Sequence, residues 1–273
     1  MFKSENDNKN MSGINRYNHF GLREDWISPL VDMRDNFFPW TDTHPLGNKM
    51  VQSASAWFQQ ALLVQAGTRK PTVLVDLFAK YGSSYMLPWE FIWLALANNT
   101  ILIKWFILDT VIDTTYPIET LSQNLSDNYP SLGQSTIKNG LTSLKETIAR
   151  SPLGSSGGVA ECEFKGKVLK TITRRAKDVH PLTILYGLYL IADKAGRGSF
   201  TVRELLSADI DSTFVSPLVA FGITPDTFKK QCEGLRTRYP DYISTTFTHG
   251  NDGLEVFPQK YSIDNVIALA LEE

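Results

Sequence analysis

The stretch STIKNGLTSLKETIARS, residues 135 to 151, decides how the chain is read. Ile137, Leu141, Leu144 and Ile148 recur at spacings of four, three and four, one stripe of a 3.6-residue helix. The other side carries Ser135, Lys138, Asn139, Thr142, Ser143 and Lys145, short donors and lysines of the kind that lie against phosphates and base edges. The solvated side of an ordinary amphipathic helix has the same composition. The neighbouring segments decide between the two.

Upstream, YPIETLSQNLSDNYP (116 to 130) reads as a helix, with Pro117 in its first turn, Ile118, Leu121 and Leu125 as its stripe and Pro130 as its stop. PSLGQ joins the two helices in a helix-turn-helix pattern. Downstream, SPLGSSGG gives a break. VAECEFKGKVLKTITRRAK (159 to 177) then intersperses Val159, Cys162, Phe164, Val168, Leu169 and Ile172 with polar residues around a Lys-Gly-Lys turn. That is a two-stranded hairpin, the wing of a winged helix.

The order recurs. HPLTILYGLYLIADKAG (180 to 196) is an apolar helix and TVRELL (201 to 206) a short one. TPDTFKKQCEGLRTRY (224 to 239) has Thr224 as N-cap, Pro225 at the first position and a stripe of Phe228, Cys232 and Leu235. A hairpin over DYISTTFTHGNDGLEVFPQKY with a Gly-Asn-Asp-Gly turn follows, then a helix from about Asp264. The expected fold is therefore mainly α with small β-hairpins: two tandem winged-helix-like units and an N-terminal helical segment. Expected boundaries are a disordered tail over 1–15, the helical segment and first unit over 16–178, and the second unit over 179–273.

In the N-terminal part, one or two short helices around Pro29 and longer helices over 48–65 and 71–82 are expected. FIWLALANNTILIKWFILDTVI (91 to 112) is the most apolar region, but Asn98, Asn99, Thr100, Lys104 and Asp109 interrupt it. This predicts two short buried helices joined by a turn rather than a membrane span. The opening MFKSENDNKNMSG is polar, not a secretory signal, and a cytoplasmic protein is expected.

The 273 residues carry a net charge of -2, so any polyanion site must be a local patch. From Lys138 to Lys177 nine Lys or Arg face three Glu, a local +6 that leaves -8 for the rest. Lys138, Asn139, Thr142, Lys145, Lys165, Lys167, Lys170, Arg174 and Arg175 are accordingly the expected contacts to duplex DNA. In the second unit Lys229, Lys230, Arg236 and Arg238 are offset by Asp226, Glu233 and Asp241, which suits a protein-binding or dimerisation surface. Cys162 and Cys232, with no close pair, argue against a disulfide framework or structural zinc.

No Gly-rich phosphate loop, GxSxG, HExxH or paired CxxC occurs. The dense polar cluster is NHFGLREDWISPLVDMRD (18 to 35), with His19, Arg23, Glu24, Asp25, Asp32, Arg34 and Asp35. A histidine with carboxylates can hold Mg²⁺ or Mn²⁺, here through Asp25 and Asp32, and activate water on a phosphodiester while an arginine steadies the charge on phosphorus. A helix cap with surface salt bridges would use the same residues. Glu163 and Lys165 have the ExK spacing that metal-dependent nucleases place on one strand face, which the wing also accounts for. His180 before Pro181 and His249 in the second hairpin read as structural.

The runs HFGLREDW, HPLGNKMVQSASAWFQQALLV, LVDLFAKYG, PWEFIWLALANN, HPLTILYGLYLIAD, FGITPDTFKKQCEGL and YPDYISTTFTHGNDGLEV carry a resemblance over nearly the whole chain. It resembles a family encoded beside ATP pyrophosphatases, cysteine desulfurases and ATPases in bacterial DNA phosphorothioation systems, in particular the SspB-type DNA-nicking component of the single-strand system. Where that family tends to read His-Glu-Thr-Phe, then Arg and Trp-Leu, this chain has His19-Phe20-Gly21-Leu22-Arg23 and Trp26-Ile27. The resemblance implies a DNA-binding, nicking role in sulfur modification and phage defence, with sulfur-transfer ATP pyrophosphatase and ATPase subunits as partners. The alternative is a non-enzymatic adaptor or transcriptional regulator that binds DNA and cuts nothing.

Overall fold

Thr100 ends one buried helix and starts the next. In the computed structural model, which describes residues 13–32, 34, 46–207, 213–248 and 251–273, its hydroxyl donates to the Leu96 carbonyl at 2.8 Å and accepts from the Ile103 amide at 3.1 Å. One side chain thus caps both ends of the break. The helices it separates, α4 (Met86–Asn99) and α5 (Ile101–Asp109), meet at 96°. All residues from Leu87 to Ala97 are buried, as a helix that is apolar all round requires. No single helix among the described residues is long and apolar enough to cross a membrane.

Ahead of this pair lie 3-10 turns at Ile14–Tyr17 and Glu24–Trp26, then α1 (Ile27–Asp32), α2 (Asn48–Gln60) and α3 (Val73–Tyr81). Helix α2 stops short of the expected 65, because the chain turns at Leu62, whose φ is +58°, and bridges Val64 to Pro71. Pro71 therefore lies outside α3. Residues 13–15, expected in the tail, are part of the fold. Ile14 is buried, and the Asn15 side chain accepts a hydrogen bond from the Thr136 hydroxyl at 2.9 Å.

From α5 onward a similar order of elements occurs twice, with one extra short helix in the second half. After α5 come β1 (Thr115–Pro117), α6 (Ile118–Asn128), α7 (Gln134–Ala149) and the hairpin β2 (Ala160–Lys165) and β3 (Val168–Arg174). Then follow α8 (Pro181–Ala195), β4 (Ser199–Thr201), the short α9 (Val202–Leu205) and α10 (Pro217–Phe221), α11 (Pro225–Arg238) and the hairpin β5 (Ile243–Thr248) and β6 (Asn251–Val256). In each half the short strand adds to the second hairpin strand, giving antiparallel sheets ordered β1-β3-β2 and β4-β6-β5. Helix α12 (Ile263–Glu272) closes the chain.

The sequence pattern missed β1 and β4. Residues 116 and 117 were expected in a helix's first turn and 201 at the start of another, but both segments are extended and pair across a sheet. Asn251, Asp252 and Gly253 of the expected Gly-Asn-Asp-Gly turn lie in β6, where Asn251 pairs with Thr248; Gly250 and His249 lie outside the described residues.

One continuous core runs through both halves. Phe91 of α4 stacks on Tyr186 of α8 at 4.4 Å, and Trp93 donates to the Ala220 carbonyl. Helix α12 returns to α3, where Tyr81 donates to the Ala270 carbonyl. The expected boundary near 178 is a connection packed into this core, not a break in it.

Candidate nucleic-acid interface

Helix α7 buries its apolar stripe as its sequence dictates: Ile137, Leu141, Leu144 and Ile148 are all inside. At about 1.5–3 kcal/mol for each fully buried aliphatic side chain, this stripe alone fixes the helix's orientation. A second side is also covered. Gly21 approaches so closely that a Cβ there would lie 2.2 Å from the Thr147 amide nitrogen. The Leu22 amide donates to the Thr147 hydroxyl, and Thr136, Ser143 and Thr147 are buried. Ser143, expected on the free face, is therefore inside, its hydroxyl donating to the Asn139 carbonyl. What stays open is a narrow stripe: Ser135 and Lys138 are exposed, and Asn139, Thr142 and Lys145 are half-buried.

The hairpin beside it turns at Gly166, whose φ of +64° is one that glycine adopts without strain. Lys165, Lys167 and Lys170 are exposed on it. Among the described residues, Lys138, Lys165, Lys167 and Lys170 form no ion pair, whereas Lys145 lies 3.1 Å from Glu146. The register shifts between Glu163, which pairs with Thr171, and Phe164, which pairs with Leu169, leaving Lys170 of β3 as the extra residue of a bulge. Glu163 accepts from the Thr171 hydroxyl across the strands.

Arg174 and Arg175 divide. Arg174 is buried and donates to the carbonyls of Ile107, Thr110 and Val219, tying β3 to α5 and α10. Burial pulls its pKa down to about 10, still leaving it charged at neutral pH. This corrects the expectation that Arg174 reaches DNA: its donors are spent in the interior. The period-2 signal was present, since Arg174 follows the buried Ile172 by two residues on one strand. Arg175 points out and pairs with Glu161 at 2.7 Å and Asp113 at 3.2 Å, which holds its pKa above the usual value.

The polar cluster at 18 to 35 also divides. His19 is exposed, with φ +69°, its ring 4.3 Å from Phe20. Arg23, expected to face a phosphate, is buried: its guanidinium lies over Trp26 and Phe20 and meets Glu146 of α7 at 3.0 Å. Burial, and then the nearby Arg150, lower its pKa, while Glu146 raises it. Its task is to fasten the N-terminal segment to α7. Asp32 is exposed at the end of α1, and Asp35 lies outside the described residues.

Glu24 and Asp25 remain at the surface, where they line an open groove of about 660 Å³ with Arg150, Ser28, Ser83 and Ser155. The Glu24 amide donates to the Arg150 carbonyl at 2.9 Å, and its carboxylate accepts from Ser83 at 3.1 Å. Arg150 lies 3.6 Å from both Asp25 and Glu146. Asp32 and His19 are not among the residues lining the groove. Arg150 and Ser83 were missed by sequence reasoning because they converge from distant segments. Among the described residues no group of three or more His, Cys, Asp or Glu is placed to hold a metal ion. An ion at Glu24 and Asp25 would thus rest on one or two carboxylates, water and substrate oxygens, an arrangement that suits Mg²⁺.

In the second half Lys230, Arg236 and Arg238 of α11 are exposed, Arg238 lying 2.8 Å from Glu273. Lys229 of α11 is paired with Asp252 at 2.8 Å. Both cysteines are free thiols. Cys232 is buried in the α11 stripe, and Cys162 is half-buried with its pKa pushed up to about 12.

These features define a helical protein with two small antiparallel sheets, a partly lysine-lined helix and hairpin, and an acidic-arginine groove beside them. The fold is that of SspB: the chain superposes on an SspB crystal structure with a TM-score of 0.66 at 12% identity, covering 94% of this chain and 86% of that one. A magnesium ion-bound SspB crystal structure gives 0.65 over the same shares. No protein-family model matches the chain, and no curated protein matches it.

Proposed function

We propose that this chain is a duplex-DNA-binding component of a bacterial DNA phosphorothioation and phage-defence system, and that it nicks DNA. The observation that carries the DNA-binding reading is the set of unpaired lysines, Lys138 on α7 and Lys165, Lys167 and Lys170 on the adjoining hairpin. The repeated order of elements, with both sheets threaded alike, supports tandem winged-helix-like units. In the first, α7 is the recognition helix and β2–β3 the wing. The likeness of fold to SspB supports placing the chain in such a system, alongside sulfur-transfer ATP pyrophosphatase and ATPase subunits.

For nicking, the groove offers the parts. Arg150 would bind the phosphate, and Glu24 and Asp25 would hold Mg²⁺, which supplies a Lewis acid and an activated water when bound. The magnesium in one SspB structure supports the choice of ion. Supercoiled plasmid incubated with pure protein and Mg²⁺ should convert to open circles, and EDTA or Asp25→Asn should stop this while retarded gel bands persist. Intact plasmid with a retarded band would instead assign a non-cutting adaptor or regulator.

A further inference from the structure

Phe164 is out of place for a soluble protein. It sits next to the tip of the β2–β3 hairpin and is 41% exposed. Val168, across the turn, is 58% exposed. Between them lie Lys165, Gly166 and Lys167, and Lys170 follows. An aromatic ring at a hairpin tip leaves a large part of its apolar surface in water. The register shifts opposite it: Glu163 pairs with Thr171 and Phe164 with Leu169, so Lys170 of β3 is the extra residue, and bulges of this kind re-aim a side chain.

The second half supplies an internal comparison. Its hairpin also carries a phenylalanine near the end of the first strand, Phe247, but that ring is half-buried against the core with the Lys229 ammonium 6.0 Å from its centroid. Lys229 is in turn neutralised by Asp252, which pairs with Phe247 across the hairpin. The phenylalanine is thus half-buried beside a neutralised lysine in one hairpin, and exposed among lysines that form no ion pair in the other.

We infer that Phe164 is an apolar wedge that enters the base stack of duplex DNA while Lys165 and Lys167 hold the flanking phosphates. The inference rests on the DNA-binding reading and adds to it a mode of contact. Apolar side chains on cationic elements insert between base steps and unstack them, and ring–base contacts are indifferent to sequence because every base has a π-face. An acidic protein surface would satisfy the lysines but would leave the ring without a matching partner. The base stack satisfies both.

The test uses the full chain and a set of duplexes, each with one 2-aminopurine, whose fluorescence rises when it is unstacked. Wild type should raise the signal at one or more positions. Phe164→Ala should bind about 5- to 150-fold more weakly, lose the fluorescence rise and keep the wild-type salt dependence. Phe164→Trp should retain the rise. Lys165→Ala with Lys167→Ala should instead flatten the salt dependence by about two ion equivalents. Wild-type binding with no fluorescence rise at any position, or Phe164→Ala behaving as wild type, overturns the wedge and leaves the DNA-binding reading intact. Absence of binding even at low salt overturns that reading and the wedge with it.

Discussion

Glu90 of α4 and Lys177, in the connection between the two halves, lie 3.3 Å apart with both side chains buried. The remaining oxygen of Glu90 is taken by the Thr183 hydroxyl at 2.5 Å and the His180 amide at 3.1 Å, and Lys177 also donates to the Gly157 carbonyl. One carboxylate therefore fixes the connection and the first turn of α8. Lys177→Ala would leave Glu90 buried without its cation, a loss of about 3–5 kcal/mol. Urea unfolding measures it, and a change below about 1 kcal/mol would contradict this account.

The same carboxylate makes stability depend on pH in an unusual direction. Burial raises the pKa of Glu90 above its ordinary 4.5, and the hydrogen bonds and Lys177 only partly oppose it. The protonated form is thus favoured by folding. That contribution is complete below 4.5 and lost as pH rises through the raised folded value. Against Glu90→Gln, which does not titrate there, wild type should gain relative stability as pH falls from neutrality toward 4.5 and then level off. A stability difference that is flat over this range would refute it.

Arg174 and Lys170 stand four residues apart on one strand and should respond oppositely to substitution. Arg174→Met strands three buried carbonyls, so a loss of about 3–5 kcal/mol is expected, seen as a lowered melting temperature. Lys170→Glu, on the exposed side, should keep the melting temperature and weaken DNA binding. Equal melting temperatures for the two variants would remove the distinction.

Four free lysines set the expected salt dependence. With a slope near -0.9 per phosphate, four contacts lose about two orders of magnitude of affinity between about 50 and 200 mM salt. Each single alanine substitution at Lys138, Lys165, Lys167 or Lys170 should reduce the slope by about one, alike on unrelated duplexes. Fluorescence anisotropy across a salt series measures this, and salt-insensitive binding would sink it.

The elements legible in the sequence were those whose signal is local and long. The stripes of α7 and α11, the break at Thr100 and the hairpin at Gly166 all stand where spacing placed them. Strands β1 and β4 have three residues each, too few to show alternation, and exist because a partner strand recruits them. The site was half legible. Its residue types announced a polar cluster, but only tertiary packing turns Arg23 inward onto Glu146 and brings Arg150 to Asp25. The second covered side of α7 was hidden for the same reason: Gly21 meets Thr147 across more than a hundred residues of chain.

That contact at Gly21 makes the helix a gauge. Because the segment bearing Glu24 and Asp25 is clamped to the C-terminal end of α7, the spacing from grip to groove is the length of the helix itself. At 1.5 Å per residue and 3.6 residues per turn, Lys138 and Arg150 are about 18 Å apart along its axis and about 120° apart around it. One added turn of helix would lengthen that interval by about 5.4 Å while returning the groove to the same side of the axis, without altering a single residue that lines it.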